Sequence, residues 1–193
     1  MPMDKEMEKP FKAYVEVFRQ GLALSHVTFK KPKKPKVSIV IPMYNEAKNA
    51  KSVIRSIQNQ YMQDFEIVCV NDNSNDNTLE VLEKLKEEDP RITILTNRHN
   101  RGVLYNRIFG ALKSKGEYIT FLDADDGFSN IDILQKSYDV ATKKHGEKID
   151  MVHYQTCGCV IDENGNLGNF LLISIFNPRN FDKVIKQPEI SDN

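Results

Sequence analysis

From residue 37 onward, short β-branched or apolar runs alternate with segments of helical periodicity, and this alternation constrains the fold more than any other feature. Val37 to Ile41 is a β-branched run, and Pro42 is expected to stop it. Ala47, Ala50, Val53, Ile54 and Ile57 then recur at helical spacing. Phe65 to Val70 reads as the second strand, and a polar loop from Asn71 to Asn77 follows it. Leu79, Leu82 and Leu85 mark a helix that fades at Asp89-Pro90. Ile92 to Leu95 is a short strand, and a helix is expected from Gly102 to Leu112. Tyr118 to Leu122 is a strand that runs into Asp123-Ala124-Asp125-Asp126. Ile131, Leu134, Tyr138 and Ala141 predict another helix, and Ile149 to Tyr154 a further strand. Asn164-Gly165 predicts a hairpin turn between Cys159-Val160-Ile161 and the apolar run Phe170 to Ile175. Strands separated by helices of about 10–15 residues imply βαβ units, and hence an α/β domain whose sheet is mainly parallel and flanked by helices.

Charge divides the chain differently. Residues 1–36 are lysine-rich and end in Lys30-Lys31-Pro32-Lys33-Lys34-Pro35-Lys36. Phe11, Tyr14, Val15, Phe18 and Leu22 fit a short amphipathic helix, while the Lys/Pro run cannot continue one and reads as a linker. The expected organisation is a basic extension over 1–36, an α/β domain over 37–176 and a polar tail over 177–193. The Lys-rich segment is either a solvated linker or a contact for a nucleus-import receptor or an acidic membrane surface. Over the whole chain, 27 Lys and Arg balance 27 Asp and Glu, so no nucleic-acid partner is expected. Three cysteines make no disulfide framework and fit a reducing compartment. The N-terminus lacks the apolar stretch of a signal peptide, and no run is long enough to span a membrane. The expected location is the cytoplasm, with contact at a membrane surface as an option.

In open α/β sheets, ligands bind beyond the carboxyl ends of the strands. Three polar clusters fall there: Pro42-Met43-Tyr44-Asn45-Glu46, Asn71-Asp72-Asn73-Ser74, and Asp123-Ala124-Asp125-Asp126. Each has a plainer reading. Asn45 suits a helix cap, the 71–77 loop suits a turn satisfied by its own side chains, and Asp125 and Asp126 suit a turn. Their common rim favours a site. Three carboxylates within four residues repel one another, and a hard divalent cation relieves that repulsion. Mg²⁺ and Mn²⁺ are typically held by one or two carboxylates together with substrate phosphates. Arg107 is suited to a phosphate contact. These features point to a metal-bridged diphosphate ligand. There is no G-x-x-x-x-G-K-[ST] and no G-x-G-x-x-G after the first strand, so a P-loop or a dinucleotide dehydrogenase is not indicated.

The segment from Val37 to Glu46 resembles the opening of family 2 glycosyltransferases, which have the Rossmann-like GT-A fold. Glu66 to Asp76 with Thr78 resembles their second-strand motif, Asn100-Arg-Gly102 with Arg107 and Gly110 their third, and Gly116 to Asp126 their Asp-x-Asp segment. The order and spacing agree over residues 37–155. The resemblance implies a metal-dependent inverting transfer of a sugar from a UDP- or GDP-linked donor to a hydroxyl on a glycan, lipid or protein acceptor. It implies that Pro42, Tyr44 and Glu46 line the nucleoside pocket, that Asp72 contacts the base, and that Arg107 lies near base and phosphates. It further implies that Asp123 approaches the ribose and the metal, and that Asp125 binds Mn²⁺ or Mg²⁺.

Some positions depart from the family pattern. Asn71 stands where the family often has Asp, and Asn73 where it often has Gly. Asn106-Arg107-Ile108 replaces the usual Ala-Arg-Asn. No acceptor-side base is evident: Asp162 and Glu163 flank the expected hairpin turn, and Glu189 and Asp192 lie in the polar tail. The expectation is a nucleotide-binding half whose acceptor part is short or missing, acting either as a transferase or as a donor-binding module without its own base. Cys157-Gly-Cys159 with His153 offers too few ligands for structural zinc. Cys69 reads as core, and His26, His99 and His145 as surface.

Overall fold

A computed structural model describes residues 28–128 and 130–143, together with the strand segments 151–156, 160–161, 167–168 and 171–176. Among the described residues the elements follow in the order β1 (Val37–Met43), α1 (Ala50–Gln58), β2 (Phe65–Asn71), α2 (Thr78–Glu88), β3 (Ile92–Thr96), α3 (Val103–Lys113), β4 (Tyr118–Phe121), α4 (Ile133–Lys143), β5 (Met151–Thr156), β6 (Val160–Ile161), β7 (Leu167–Gly168) and β8 (Leu171–Phe176). The six-stranded main sheet has the order β3-β2-β1-β4-β8-β5. β1 pairs in parallel with β2 and β4, and β2 pairs in parallel with β3, so the βαβ expectation holds.

Pro42 does not stop β1. The β1–β4 ladder ends at Val40↔Phe121, so only β2 flanks the chain at the proline, and that ladder continues to Met43↔Asn71. The C-terminal pairing also differs from expectation. β6 pairs with the two-residue β7, while the apolar run 171–176 enters the main sheet as β8, antiparallel to both β4 and β5. A continuous apolar strand gains more between two neighbours in a sheet than in an isolated hairpin.

Side chains alternate between two cores because successive Cβ atoms in a strand point to opposite faces. Val37, Ile39, Ile41 and Met43, with Phe65, Ile67 and Cys69, meet Val53, Ile54, Ile57, Leu82, Leu85 and Leu134 on one face. Val40, Val68, Val70 and Ile119 meet Ala111 of α3 on the other. Helix α3 lies close to the sheet at Gly110, where an added Cβ would stand 2.3 Å from Val40 Cγ1 and 3.1 Å from Val70 Cγ2.

Buried polar groups lock the amino ends of the strands. Glu66 Oε1 accepts from Ser38 Oγ at 2.7 Å and from the Lys115 amide at 2.5 Å, and the Gly116 amide donates to Ser38 Oγ at 2.8 Å. Arg91 and Asp89 form a fully buried ion pair at 2.8 Å. The Arg91 guanidinium sits between the Phe29 and Phe65 rings, 4.4 and 4.1 Å from their centroids. This stacking fixes the segment before β1 at the base of the sheet. There Pro35 O and Lys36 O accept the amides of Glu117 and Tyr118. Lys30, Lys31, Lys33 and Lys34 are exposed in that segment, at the end of the sheet away from the strands' carboxyl termini.

Gly110→Ala is expected to force α3 off the sheet and to destabilise the protein by about 1–3 kcal/mol, as overpacking does. Urea unfolding of the variant against the parent measures this, and an unchanged midpoint contradicts the close approach.

Candidate functional site

The carboxyl ends of β1, β2 and β4, together with the loop entering α3, surround a cavity of about 280 Å³. Its walls include Pro42, Tyr44, Glu46, Asp72, Asp123 and Asp125. Of the sequence candidates only Arg107 is not on the wall. It reaches the cavity through Asp123: its Nη2 donates to Asp123 Oδ1 at 2.5 Å, and its plane stands over the Phe121 ring. The sequence reading missed Asn100, Gly102, Val103 and Asn106 as wall residues. The first two were legible in the Asn-Arg-Gly segment, and Asn106 was visible as a departure from the family pattern.

The first two polar clusters interlock. Asn45 and Asn73 adopt left-handed backbone angles, φ 59° and 58°, a conformation in which Asn is tolerated. The Asn45 amide donates to Ser74 Oγ at 3.0 Å, and Asn45 Oδ1 accepts the Asn75 amide at 2.8 Å. The Glu46 amide donates to Thr78 Oγ1 at 2.8 Å, and the Ala47 amide to Asp76 Oδ2 at 3.1 Å. Asn45 is therefore a bridge to the neighbouring loop. Most of the 71–77 loop does serve as a turn, with Asn71 Oδ1 accepting the Ser74 amide at 3.2 Å. Glu46 keeps a side-chain contact outside this clasp, accepting from Asn49 Nδ2 at 2.8 Å.

Asp72 differs from its neighbours. It is 1% exposed, and its amide donates to Met43 O at 2.8 Å. Oδ1 accepts from Asn97 Nδ2 at 2.7 Å and from the Arg101 amide at 2.8 Å. Oδ2 accepts from the Gly102 amide at 2.8 Å and shares the Arg101 amide at 3.0 Å. Asn97 Nδ2 also donates to Asn106 Oδ1 at 2.6 Å. Burial acts to raise the Asp72 pKa. The hydrogen bonds from Asn97, Arg101, Asn106 and Gly102 outweigh it and hold the carboxyl below the usual range. One ionised side chain just after β2 thus ties down the loop after β3. Gly102, at φ 83°, turns that loop into α3 in a conformation that favours glycine.

At the end of β4 the acids crowd. Burial, and then the charges of Asp125 and Asp123, push Asp126 up to about 6. Asp123 and Asp125 face the cavity, and Asp123 is also held by Arg107. Among the described residues, no three His, Cys, Asp or Glu side chains converge as a closed metal cage. Two carboxylates open to a cavity are the donor set that Mg²⁺ or Mn²⁺ shares with substrate phosphates. Cys69 is buried, and its thiol is pushed up to about 12 by that burial, which fits a core residue. Cys157, Cys159, Asp162, Glu163, Glu189 and Asp192 lie outside the described residues, as do His26 and His145.

The mainly parallel sheet, flanked by helices, carries an acid-lined cavity at its carboxyl rim, as Rossmann-like α/β folds place their sites. Residues 38–146 match the family model described as Glycosyl transferase family 2, and the chain belongs to that family. It is 34% identical over 134 residues to the GalNAc(5)-diNAcBac-PP-undecaprenol beta-1,3-glucosyltransferase of Campylobacter jejuni, covering 69% of this chain and 41% of that enzyme. An uncharacterized glycosyltransferase of Haemophilus influenzae is 32% identical over 67% of this chain and 50% of its own length. The chain thus spans half or less of these curated relatives. The fold matches the Pyrobaculum calidifontis mannosyltransferase PcManGT, solved with GDP-Man and Mn²⁺, at a TM-score of 0.62 and 16% identity, over 92% of this chain and 56% of that one. It also matches S. aureus TarS 1-349 with UDP at a TM-score of 0.56 and 22% identity, over 78% of this chain and 49% of that one.

Asp72→Asn turns an amide N–H toward the Arg101 and Gly102 amides and leaves donors facing donors. The expected loss is about 1–3 kcal/mol of stability. Because the folded pKa of Asp72 is depressed, its contribution is present above the unfolded value of about 4 and is lost as pH falls through the folded value. Chemical unfolding over a pH series should therefore show the parent's advantage over the Asn variant shrinking on acidification. An advantage that is constant across pH excludes this role for the charge.

Proposed function

We propose that this chain binds a nucleoside-diphosphate sugar and a divalent cation, Mn²⁺ or Mg²⁺, in the cavity at the carboxyl rim, and transfers the sugar with inversion to an acceptor hydroxyl. The observation that carries the reading is the placement of Asp123 and Asp125 on one cavity wall with Tyr44, Glu46 and Asp72. Support comes from family membership and from the ligands of the structural neighbours, GDP-Man with Mn²⁺ in one and UDP in another.

In this reading Pro42, Tyr44 and Glu46 hold the nucleoside, with Asp72 at the same end. Asp72 keeps the Arg101–Gly102 backbone against the pocket. Asp125 and Asp123 hold the cation, and Arg107 orients Asp123 through their ion pair. When bound, the cation supplies Lewis-acid neutralisation of the charge that develops on the leaving diphosphate. The donor is UDP- or GDP-linked, and the acceptor is a glycan, a lipid or a protein. The second reading is a donor-binding module that relies on another segment or chain for its base.

Calorimetric titration with UDP and with GDP, each with and without Mn²⁺, tests the proposal. The expected result is metal-dependent binding of at least one nucleotide, weakened at least tenfold by Asp125→Ala, about 1.4 kcal/mol or more, with the melting temperature retained. Binding that is indifferent to metal or to Asp125 removes the cation site. The absence of any nucleotide binding removes the function. Sugar transfer to a hydroxyl acceptor separates the transferase from the module.

A further inference from the structure

The loop before α3, the helix itself and the turn after it form an acid-free segment. From Asn97 to Gly116 the sequence carries Arg98, Arg101, Arg107, Lys113 and Lys115 and no Asp or Glu, in a chain whose formal net charge is zero. All of these cations except Arg107 are exposed. The helix between them also presents an apolar outer face. Leu104 is 70% exposed, Leu112 68% and Tyr105 40%. Leu104, Ile108 and Leu112 follow one another at i, i+4 and i+8, a single stripe along the helix. Gly110 and Ala111 face the sheet instead. The Arg101 guanidinium lies over the Tyr105 ring, 4.7 Å from its centroid, so a cation and an aromatic share one end of the stripe. Lys113 and Lys115 flank the other end.

Large apolar side chains left in water along one helix face mark an interaction surface. The combination of an apolar stripe with cations at both ends and no acid suits an anionic lipid surface, where each interfacial cation adds attraction. We infer that the outer face of α3 docks on an anionic lipid bilayer. Gly102, Val103 and Asn106, at the start of α3, line the cavity, so docking would set its mouth beside the lipid surface. The Lys-rich segment 30–36 lies away from the cavity and beside the Lys113–Lys115 end of the helix, where Pro35 O accepts the Glu117 amide, but the exposed leucines are on α3, so α3 leads the docking. The inference goes beyond the donor-site proposal, because docking requires no nucleotide.

Co-sedimentation of the full 193-residue chain with vesicles tests it. Binding is expected to phosphatidylcholine vesicles that contain phosphatidylglycerol, to weaken with salt, and to be absent with phosphatidylcholine alone. The Leu104→Ser/Leu112→Ser double variant is expected to lower partitioning about tenfold. Arg101→Gln/Lys113→Gln/Lys115→Gln is expected to lower it on the order of 100-fold. The two leucines are solvent-exposed and lie off the cavity wall, so the melting temperature and nucleotide affinity of their variant should stay at parent values. Replacing Lys30, Lys31, Lys33 and Lys34 by Gln should leave partitioning within twofold, a shift of about 0.4 kcal/mol. The inference is overturned by no binding to anionic vesicles, or by binding that survives the leucine changes and is lost with the four lysines. It is equally overturned by light scattering that shows a dimer dissociated by the leucine changes, which would make a second copy the occupant.

Discussion

The parallel pairing of β1 with β2 on one side and β4 on the other is the constraint on which the rest of this structure depends. Parallel neighbours need crossovers, and the crossovers become α1, α2 and α3. Parallel register also puts every carboxyl end on one rim. The polar residues that follow β1, β2 and β4 lie about 30 to 50 positions apart in sequence. They share a cavity because the ladders start in register, with Val37 opposite both Phe65 and Tyr118. A one-residue slip would exchange the two cores and turn the polar ends away from one another.

The two ends of the sheet use buried charge for different purposes. At the amino ends, Glu66 and the Arg91–Asp89 pair are buried and filled by protein donors and acceptors. At the carboxyl ends, Asp72 is filled in the same way, but Asp123 and Asp125 line open space, and Asp126 is pushed up by burial and by their charge. A buried carboxylate that its own chain satisfies stabilises geometry. A crowded set that faces open space and is only partly paired, Asp123 with Arg107, keeps a mutual repulsion that a bound cation would relieve. Asp72 belongs to the first kind although it borders the cavity, and its effect on a ligand passes through the loop it holds. That loop leads into α3, which is at once a wall of the site, the cover of the second core and an apolar, cationic outer surface.

Much of this was legible in the sequence, for identifiable reasons. β-branched runs and helical spacing are local signals, so the elements fell close to their observed positions, and the acid cluster was visible as a mutual repulsion within four residues. The errors were also physical. Pro42 was read as a stop because a proline removes a ladder donor, yet the β4 ladder has already ended at Val40. The run Phe170 to Ile175 was assigned as the partner of 159–161 across the Asn164-Gly165 turn signal, whereas 160–161 pairs with Leu167–Gly168 and the apolar run joins β4 and β5 in the main sheet. Arg107 is not on the cavity wall, and its pairing with Asp123 follows from the packing of α3 on the sheet.

The sequence by itself determined the class of fold, the rim on which the polar clusters gather and the crowding of the carboxylates after β4. Those properties rest on periodicity, β-branching and charge spacing, which are local along the chain. Only the tertiary structure decided that Asp72 spends its charge on the Arg101 and Gly102 amides, that Asn106 joins the wall, that Arg91 stacks between two rings, and that the acid-free helix turns its leucines to solvent. These depend on which side chains meet across roughly 10 to 60 intervening residues, and the register of the sheet and the closeness of α3 at Gly110 set those meetings.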